Sequence, residues 1–178
     1  MKITETGIAG CYLVEKPVFD DPHSSLHTVY KDSILLQSGI KFDIHEVLLS
    51  TSGKNVLRGM HFQLFPKGTA KVVACLFGEI FDAVLDLRKD SPTYLKTFTT
   101  LLSEDDNSMI YIPEGVAHGF YSFRDNSTIL YMTSGIFSPE HDSGILWSSA
   151  GIDWPEESPI ISDRDQQLAP LEVFTSPF

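Results

Sequence analysis

The sequence predicts an all-β protein that folds as a sandwich or a closed barrel. Short strand-like runs recur along the 178 residues, and the segments between them have the composition of turns. Stretches with the 3.6-residue apolar period of an amphipathic helix are scarce. We therefore expect many short strands and only a few short helices.

Strands are predicted where β-branched and aromatic residues cluster between Gly, Pro, Asn, Asp and Ser. The densest run is Ile80–Asp86, which is typical of a strand that is buried on at least one face. In chain order, the predicted strands are Gly10–Glu15, Ile34–Leu36, Glu46–Ser50, Lys71–Phe77, Glu79–Asp86, Thr97–Leu102, Met109–Ile112, Gly119–Phe123 and Thr128–Thr133.

The segments between these runs carry turn chemistry, as in Pro66-Lys67-Gly68 and Pro113-Glu114-Gly115. Short helices are predicted over Tyr30–Gln37, which overlaps the run at Ile34–Leu36, and over Asp163–Leu168. Residues 141–178 contain four of the ten prolines and much irregular sequence. We expect this tail to wrap around the barrel, so that residues 1–178 form a single domain.

Composition excludes several classes of function. A net charge of −11 argues against binding to nucleic acid, whose phosphates need a basic surface. No apolar run approaches the roughly 18 residues that would span a membrane. The first residues lack the pattern of a signal peptide, so a cytoplasmic protein is expected. Cys11 and Cys75 are far apart in apolar contexts, which indicates buried, reduced thiols.

His61 is the strongest candidate for a catalytic base. It follows Met60 and precedes Phe62 on a strand-like segment, so its side chain should point to the opposite face from theirs. In a barrel interior it could remove a proton next to a carbonyl. A base of this kind needs a carboxylate to hold its tautomer. The pattern leaves three candidates open, which are Asp165, Asp82 and Asp86.

Other residues are candidates for supporting roles in the same reaction. Lys71 at the start of an apolar strand and His118 after a tight turn could stabilise an oxyanion. Arg58 suits a phosphate or a buried carboxylate. His61 and His118 could also ligate a metal, but the chain has no His-x-His pair and Lys71 competes for the interior. No metal site is therefore expected.

Taken together, these blocks resemble the dTDP-4-dehydrorhamnose 3,5-epimerases of the cupin superfamily, from about Gly7 to Pro170. The matching blocks are Val56–Gln63, Gly78–Asp82, Asp86–Thr93, Ile112–Phe120, Ile145–Trp147, Gly151–Pro155 and Ser162–Asp165. The resemblance implies a cupin-type jelly-roll barrel, a homodimer with exchanged N-terminal strands, and no metal or cofactor. It also implies a substrate in which a nucleoside diphosphate carries a 4-keto-6-deoxyhexose, without deciding among dTDP, CDP and GDP.

The resemblance also assigns roles to individual residues. His61 would be the base, with Asp165 as its partner. Lys71 and His118 would stabilise the enolate oxygen, and Arg58 and Gln63 would hold the substrate.

Three departures from the family pattern bear on substrate and stereochemistry. In the family, the tyrosine of a Tyr-x-Pro motif is expected to act as the acid on the face opposite the base, and Phe137 stands in its place here. The proton returned to the substrate would then come from water, Tyr131 or another hydroxyl. His23 replaces an arginine that would reach the neighbouring subunit's nucleotide. The strand that carries polar substrate contacts in the family, Gln-x-Asn-His-Ser, reads Glu46–Ser50 in this chain and is apolar in its middle. Glu46 and Ser50 remain candidate substrate contacts.

The function predicted from these observations is inversion of C3, C5 or both, next to the C4 ketone of the nucleotide sugar. The second prediction is a related 3,4-ketoisomerase, or an epimerase limited to one carbon. The third is a catalytically impaired cupin that only binds a sugar nucleotide.

Overall fold

The computed structural model of the protein describes residues 2–37 and 39–178. It confirms the all-β jelly-roll prediction. The strands are β1 (Lys2–Glu5), β2 (Tyr12–Glu15), β3 (Val18–Asp21), β4 (Ser24–His27), β5 (Glu46–Ser52), β6 (Val56–Gln63), β7 (Lys71–Phe77), β8 (Glu79–Asp86), β9 (Thr97–Ser103), β10 (Ser108–Ile112), β11 (Val116–Ser122), β12 (Ser127–Thr133), β13 (Asp142–Gly144) and β14 (Ile160–Ile161). The helices are α1 (Asp32–Gln37) and α2 (Asp163–Gln166), with 3₁₀ turns at Trp147–Ser149 and Leu171–Val173.

Two sheets face each other across the main core. The first sheet has the order β1-β2-β10-β7-β12-β5, and the second has the order β13-β6-β11-β8-β9 with β14 parallel to β6. Side chains from both sheets meet between them, such as Val73 and Ile129 from the first and Val84 and Phe120 from the second. This interior is apolar over most of its depth. The polar cavity described below opens from the rest of it.

The outer face of each sheet is covered by an irregular segment. On the first sheet, Leu35, Ile40 and Phe42 pack against the strands. On the second sheet, the cover is the C-terminal tail, where Phe174 and Phe178 stack edge-on against Phe62 at 5.4 and 5.7 Å between ring centres. The tail therefore holds the back of the sheet whose front lines the cavity.

The structure corrects the predicted strand at Ile34–Leu36. These residues belong to α1, as the overlapping helix prediction had it. The second predicted helix begins at Asp163 as expected but ends at Gln166. The helix places Leu35 against the outer apolar face of the first sheet.

The hairpin of β3 and β4 stands apart from both sheets. Within the described residues its two strands pair only with each other, and Phe19 lies opposite Leu26. Both side chains are about two-thirds exposed, at 65% and 67%. An isolated two-stranded hairpin is marginally stable in water. The hairpin therefore presents an apolar pair that the described part of the chain leaves largely exposed.

Among the described residues, no helix is both long enough and apolar enough to cross a membrane.

Candidate active site

A cavity of about 440 Å³ opens between the two sheets. It is lined by nine of the residues singled out in the sequence, which are Glu46, Ser50, Arg58, His61, Gln63, Lys71, His118, Tyr131 and Phe137. Asp165 lies directly behind His61. His23 does not line it, since it sits in the exposed turn of the β3–β4 hairpin. The strands of a two-sheet fold thus bring together residues that are far apart in sequence.

A β-bulge in β6 places Arg58 and His61 on the same cavity. In the pairing of β6 with β11, His61 lies opposite His118 and Arg58 lies opposite Phe120, so β6 has one extra residue. In a regular strand, residues three apart point to opposite faces. The bulge lets both side chains face the cavity, while Met60 packs into the buried layer beneath the tail.

Two glycines make this bulge possible. Gly59 has a φ of 132°, and a Cβ there would lie 2.5 Å from the Cα of Gly119. A Cβ on Gly119 would in turn lie 2.8 Å from the carbonyl oxygen of Arg58. Neither position accepts a side chain while the two strands approach so closely. The Arg-Gly-Met-His and His-Gly motifs are therefore two halves of one packing arrangement.

His61 and Asp165 form a dyad at the cavity wall. The imidazole Nε2 lies 2.8 Å from Asp165 Oδ1, and the N–H of Gly59 donates to Asp165 Oδ2 at 3.2 Å. The side chain of His61 is 29% exposed and that of Asp165 is 3% exposed. Burial raises the pKa of Asp165, but the hydrogen bonds and the neighbouring positive groups outweigh it and lower that pKa below its ordinary value. Asp165 is thus an ionised acceptor that can hold the imidazole.

Helix α2 fixes the position of Asp165. Ser162 caps the helix, because its hydroxyl accepts a hydrogen bond from the N–H of Asp165 at 3.1 Å. The parallel pairing of β14 with β6, with Ile161 opposite Leu57, brings this cap next to the bulge. The partner of the base is therefore set by a segment more than one hundred residues away in sequence.

Arg164 is a cavity residue that was not predicted from the sequence. Its Nη1 lies 2.9 Å from His61 Nε2 and 3.3 Å from Asp165 Oδ1, and its Nη2 is paired with Asp142. The side chain is 45% exposed, so a positive charge stands at the cavity mouth beside the base. Its position next to Asp165 in Ser-Asp-Arg-Asp is the sequence feature that could have indicated Arg164 as a site residue. Nothing in the local sequence indicated Asp142.

A second histidine–carboxylate pair lies deeper in the cavity. Nε2 of His118 is 2.7 Å from Asp82 Oδ2, and both residues are buried. The other oxygen, Asp82 Oδ1, is buried without a hydrogen-bond partner among the described residues. Asp82, which the sequence left open as a partner for His61, therefore belongs to His118. Asp86, the third candidate, lies in a separate network with Arg88, Ser91 and Thr93.

Lys71 faces this pair from the first sheet. Burial lowers the pKa of its ammonium to about 8, although the negative charges of Asp82 and Asp142 act in the opposite direction. At neutral pH Lys71 is therefore still protonated in most molecules. The partly desolvated ammonium of Lys71 and the imidazole of His118 together form a suitable environment for an oxyanion.

Tyr131 reaches the cavity from the sheet opposite His61. It lies on β12, and its ring meets that of His118 edge-on with 5.9 Å between centres. Burial and the charge of Asp82 raise the pKa of the phenol well above its ordinary value, so it keeps its proton at neutral pH. Phe137 also lines the cavity, but it stands on the connection after β12 and is 53% exposed.

The remaining predicted contacts fall into two groups. Arg58 is exposed to the cavity, with its Nε donating to Ser52 Oγ at 3.1 Å, and Ser50 lies nearby on β5. Glu46 and Gln63 already use their side-chain oxygens to accept hydrogen bonds from the backbone of residues 137 and 138. Leu48 and Leu49 add an apolar lining beside them.

Comparison with known proteins shows the family to which the chain belongs. The family model described as dTDP-4-dehydrorhamnose 3,5-epimerase matches residues 5–172. The enzyme of that name from Shigella flexneri is 36% identical over 168 residues, which are 93% of this chain and 93% of the relative. A dTDP-4-dehydrorhamnose 3-epimerase from Streptomyces niveus is 35% identical and covers 93% of this chain and 82% of its own.

Two solved structures are similar over nearly their whole length. The Bacillus anthracis dTDP-4-dehydrorhamnose 3,5-epimerase, with TDP and pyrophosphate bound, has a TM-score of 0.93 and 34% identity, covering 96% of this chain and 99% of its own. ChmJ from Streptomyces bikiniensis, a 3′-monoepimerase in complex with dTDP, has a TM-score of 0.88 and 26% identity, covering 93% and 85%. The ChmJ chain is a double mutant in which a histidine and a tyrosine seventy positions apart are replaced by asparagine and phenylalanine.

Proposed function

Because the chain belongs to the dTDP-4-dehydrorhamnose 3,5-epimerase family, we propose that it is a nucleotide-sugar epimerase that inverts C3 and C5 of a dTDP-linked 4-keto-6-deoxyhexose. One observation carries the proposal. The cavity has a histidine–aspartate dyad on one sheet, a protonated phenol on the facing sheet, and two donors for an oxyanion between them. This is the set of groups that proton removal and return next to a ketone require.

In the first step, His61 removes the α-proton. Asp165 accepts the Nε2–H, which leaves Nδ1 as the nitrogen that takes the proton from carbon. The carbanion delocalises onto the C4 oxygen as an enolate. Asp165 stabilises the imidazolium that forms and holds the ring in place.

Lys71 and His118 stabilise the enolate oxygen. They enter the cavity from different sheets, so the C4 oxygen would lie between them. Asp82 holds His118 by its Nε2, which orients the ring toward the cavity. Donors that are already in place are the largest source of rate enhancement in such reactions.

Tyr131 returns the proton from the opposite face and so inverts the centre. His61 and Tyr131 stand on facing sheets, and they are seventy positions apart in sequence, as are the two residues replaced in ChmJ. This supports Tyr131 as the acid and makes a lost acid at Phe137 unnecessary. Phe137, which lies at the mouth and is half exposed, suits contact with the nucleotide end of the substrate.

Arg58 and Arg164 are the proposed partners of the diphosphate, since both guanidinium groups border the cavity and are partly exposed. Ser50 is placed to add a hydroxyl contact. Bound TDP in the Bacillus anthracis structure and dTDP in the ChmJ structure support dTDP over CDP or GDP.

We further propose a homodimer in which each β3–β4 hairpin packs on the partner and carries His23 toward the partner's cavity. Two features support it, namely the largely exposed Phe19–Leu26 pair and the edge strand β5, which has no neighbour on its outer side among the described strands and on which Val47 and Leu49 are exposed. Phe19→Asp should shift the protein to a monomer in sedimentation velocity. An unchanged sedimentation coefficient would contradict this arrangement.

The function is tested by incubating the protein with the dTDP-linked 4-keto-6-deoxyhexose in D₂O and following C3 and C5 by NMR. Wild-type protein should incorporate deuterium at both carbons and invert both, and His61→Asn should lower exchange by about 10²–10⁴-fold. The CDP- and GDP-linked sugars serve as nucleotide controls. Absence of exchange would identify a binding protein, and migration of the ketone to C3 would identify a ketoisomerase. Inversion at one carbon would limit the proposal to a monoepimerase.

A further inference from the structure

The segment Ser134–Ser138, called here the rim segment, forms one side of the cavity mouth. Its first residue exchanges two hydrogen bonds of 2.9 Å with Ala70, and the carbonyl of Gly135 accepts from Thr133 Oγ1 at 2.7 Å. Gly135 also packs so closely that a Cβ would lie 2.6 Å from Thr69 Cγ2. The rim segment is therefore an ordered wall at its start.

Two cavity side chains hold the other end of the rim segment. Glu46 Oε2 accepts a hydrogen bond from the N–H of Phe137 at 3.0 Å. Gln63 Oε1 accepts from the N–H of Ser138 at 2.6 Å, and its Nε2 donates to Thr69 Oγ1 at 2.8 Å. Both amides of the wall thus depend on side chains of β5 and β6. The polar groups that the sequence assigned to substrate are already engaged with the protein's own backbone.

These contacts determine where the aromatic ring of Phe137 stands. The ring lines the cavity while it remains 53% exposed. Leu48 lies two residues after Glu46 and also lines the cavity, so β5 supplies an apolar side chain beside the carboxylate. An apolar wall suits the flat face of a nucleobase. A carboxylate that contacted the diphosphate directly would instead repel it.

We propose that Glu46 and Gln63 are positioning residues, which hold the rim segment by its backbone so that Phe137 covers the nucleotide end of the cavity. The inference rests on the proposed function, since the ligand in question is the nucleotide of that substrate. It replaces direct substrate contact by Glu46 with an indirect effect that passes through Phe137.

The experiment measures the binding of dTDP by calorimetry in four variants. Glu46→Gln keeps an oxygen acceptor, so its Kd should stay within about twofold of wild type. Glu46→Ala, which frees the rim segment, and Phe137→Ala, which removes the ring, should each weaken binding about tenfold, the size of one aromatic stacking contact. The double variant should be no weaker than Phe137→Ala alone, because both changes remove the same contact. Glu157→Ala, an exposed residue outside the cavity lining, is the control.

Hydrogen exchange supplies a second readout that needs no ligand. The amide of Phe137 should lose protection in Glu46→Ala and keep it in Glu46→Gln. With the D₂O assay described above, kcat should fall less than the Kd for dTDP rises, since no reacting group is removed.

Four outcomes would overturn the inference. Additive losses in the double variant, or equal losses in Glu46→Gln and Glu46→Ala, would mean that Glu46 touches the ligand. Failure of wild-type protein to bind dTDP would remove the nucleotide from the proposal. These results are separable from those that test the epimerase proposal. The expected binding pattern without α-proton exchange would support the rim inference and contradict the epimerase. Exchange together with an unchanged Kd in Phe137→Ala would support the epimerase and contradict the rim inference.

Discussion

Replacing Lys71 by methionine should stabilise the fold while it removes most of the activity. The ammonium group is partly stripped of water, and its pKa falls from 10.5 to about 8. At 1.36 kcal/mol for each pKa unit, this corresponds to a cost of about 3 kcal/mol at pH 7, as an upper value because the group borders the open cavity. Methionine has a similar length and no charge, so Lys71→Met should recover much of that cost.

The sign of the pH dependence follows from the direction of the change. Below pH 8 the lysine is protonated in both states, and the folded state bears the full cost. Between pH 8 and 10.5 the unfolded chain binds a proton that the folded protein does not, so wild-type stability rises with pH. The advantage of Lys71→Met should therefore be greatest at pH 7 and should shrink toward pH 10.5.

Urea denaturation at pH 7 and at pH 10 measures this difference, with Lys54→Met, a replacement of an exposed lysine, as the control. The D₂O exchange assay should show a loss of about 10²–10³-fold, the effect of removing one oxyanion donor. A variant that is less stable than wild type at pH 7, or whose advantage does not change with pH, would refute the burial argument. Activity near the wild-type value would refute the role of Lys71 at the enolate oxygen.

Three further predictions concern the acid, the bulge and the buried carboxylate network. Tyr131→Phe should keep α-proton exchange and lose inversion by about 10²–10⁴-fold, whereas Phe137→Tyr should leave the ratio of inversion to exchange unchanged; NMR of the recovered sugar distinguishes them. Gly119→Ala should lower the free energy of unfolding by about 3 kcal/mol and the turnover by about 100-fold, since Arg58 must move; intact turnover would contradict the packing account. Burial raises the pKa of Asp86, but hydrogen bonds, above all the one from Arg88, lower it to about 2, so Asp86 should contribute up to about 2 kcal/mol above pH 4 and lose it as the pH falls through 2. Acid titration of Asp86→Asn, which should lack this step, checks that value.

Much of the fold was predictable because strand propensity is local. Lys71–Phe77 and Glu79–Asp86 were predicted with the bounds that the structure has, since each is a dense apolar run with a turn at both ends. β6 was not among the predicted runs, although His61 was placed on a strand-like segment. Its glycine and mixed polar residues weaken the pattern, because the glycine belongs to the bulge and the polar residues line the cavity. The hairpin β3–β4 was missed because its strands are only four residues long and mix polar residues with the apolar Phe19 and Leu26, so they form no dense apolar run.

The site divides in the same way. The sequence by itself determined which residue types were available: two histidines, a lysine and an arginine in strand-like segments, and the motif blocks that carried the family resemblance. The residue pattern left the partner of His61 open, and the family resemblance assigned Asp165 to it, which the structure places at 2.8 Å. The tertiary structure alone paired Asp82 with His118, brought Arg164 against the base, and set Tyr131 on the facing sheet. The physical reason is that a hydrogen bond depends on distances of about 3 Å, and those distances arise from the pairing of strands that are remote in sequence.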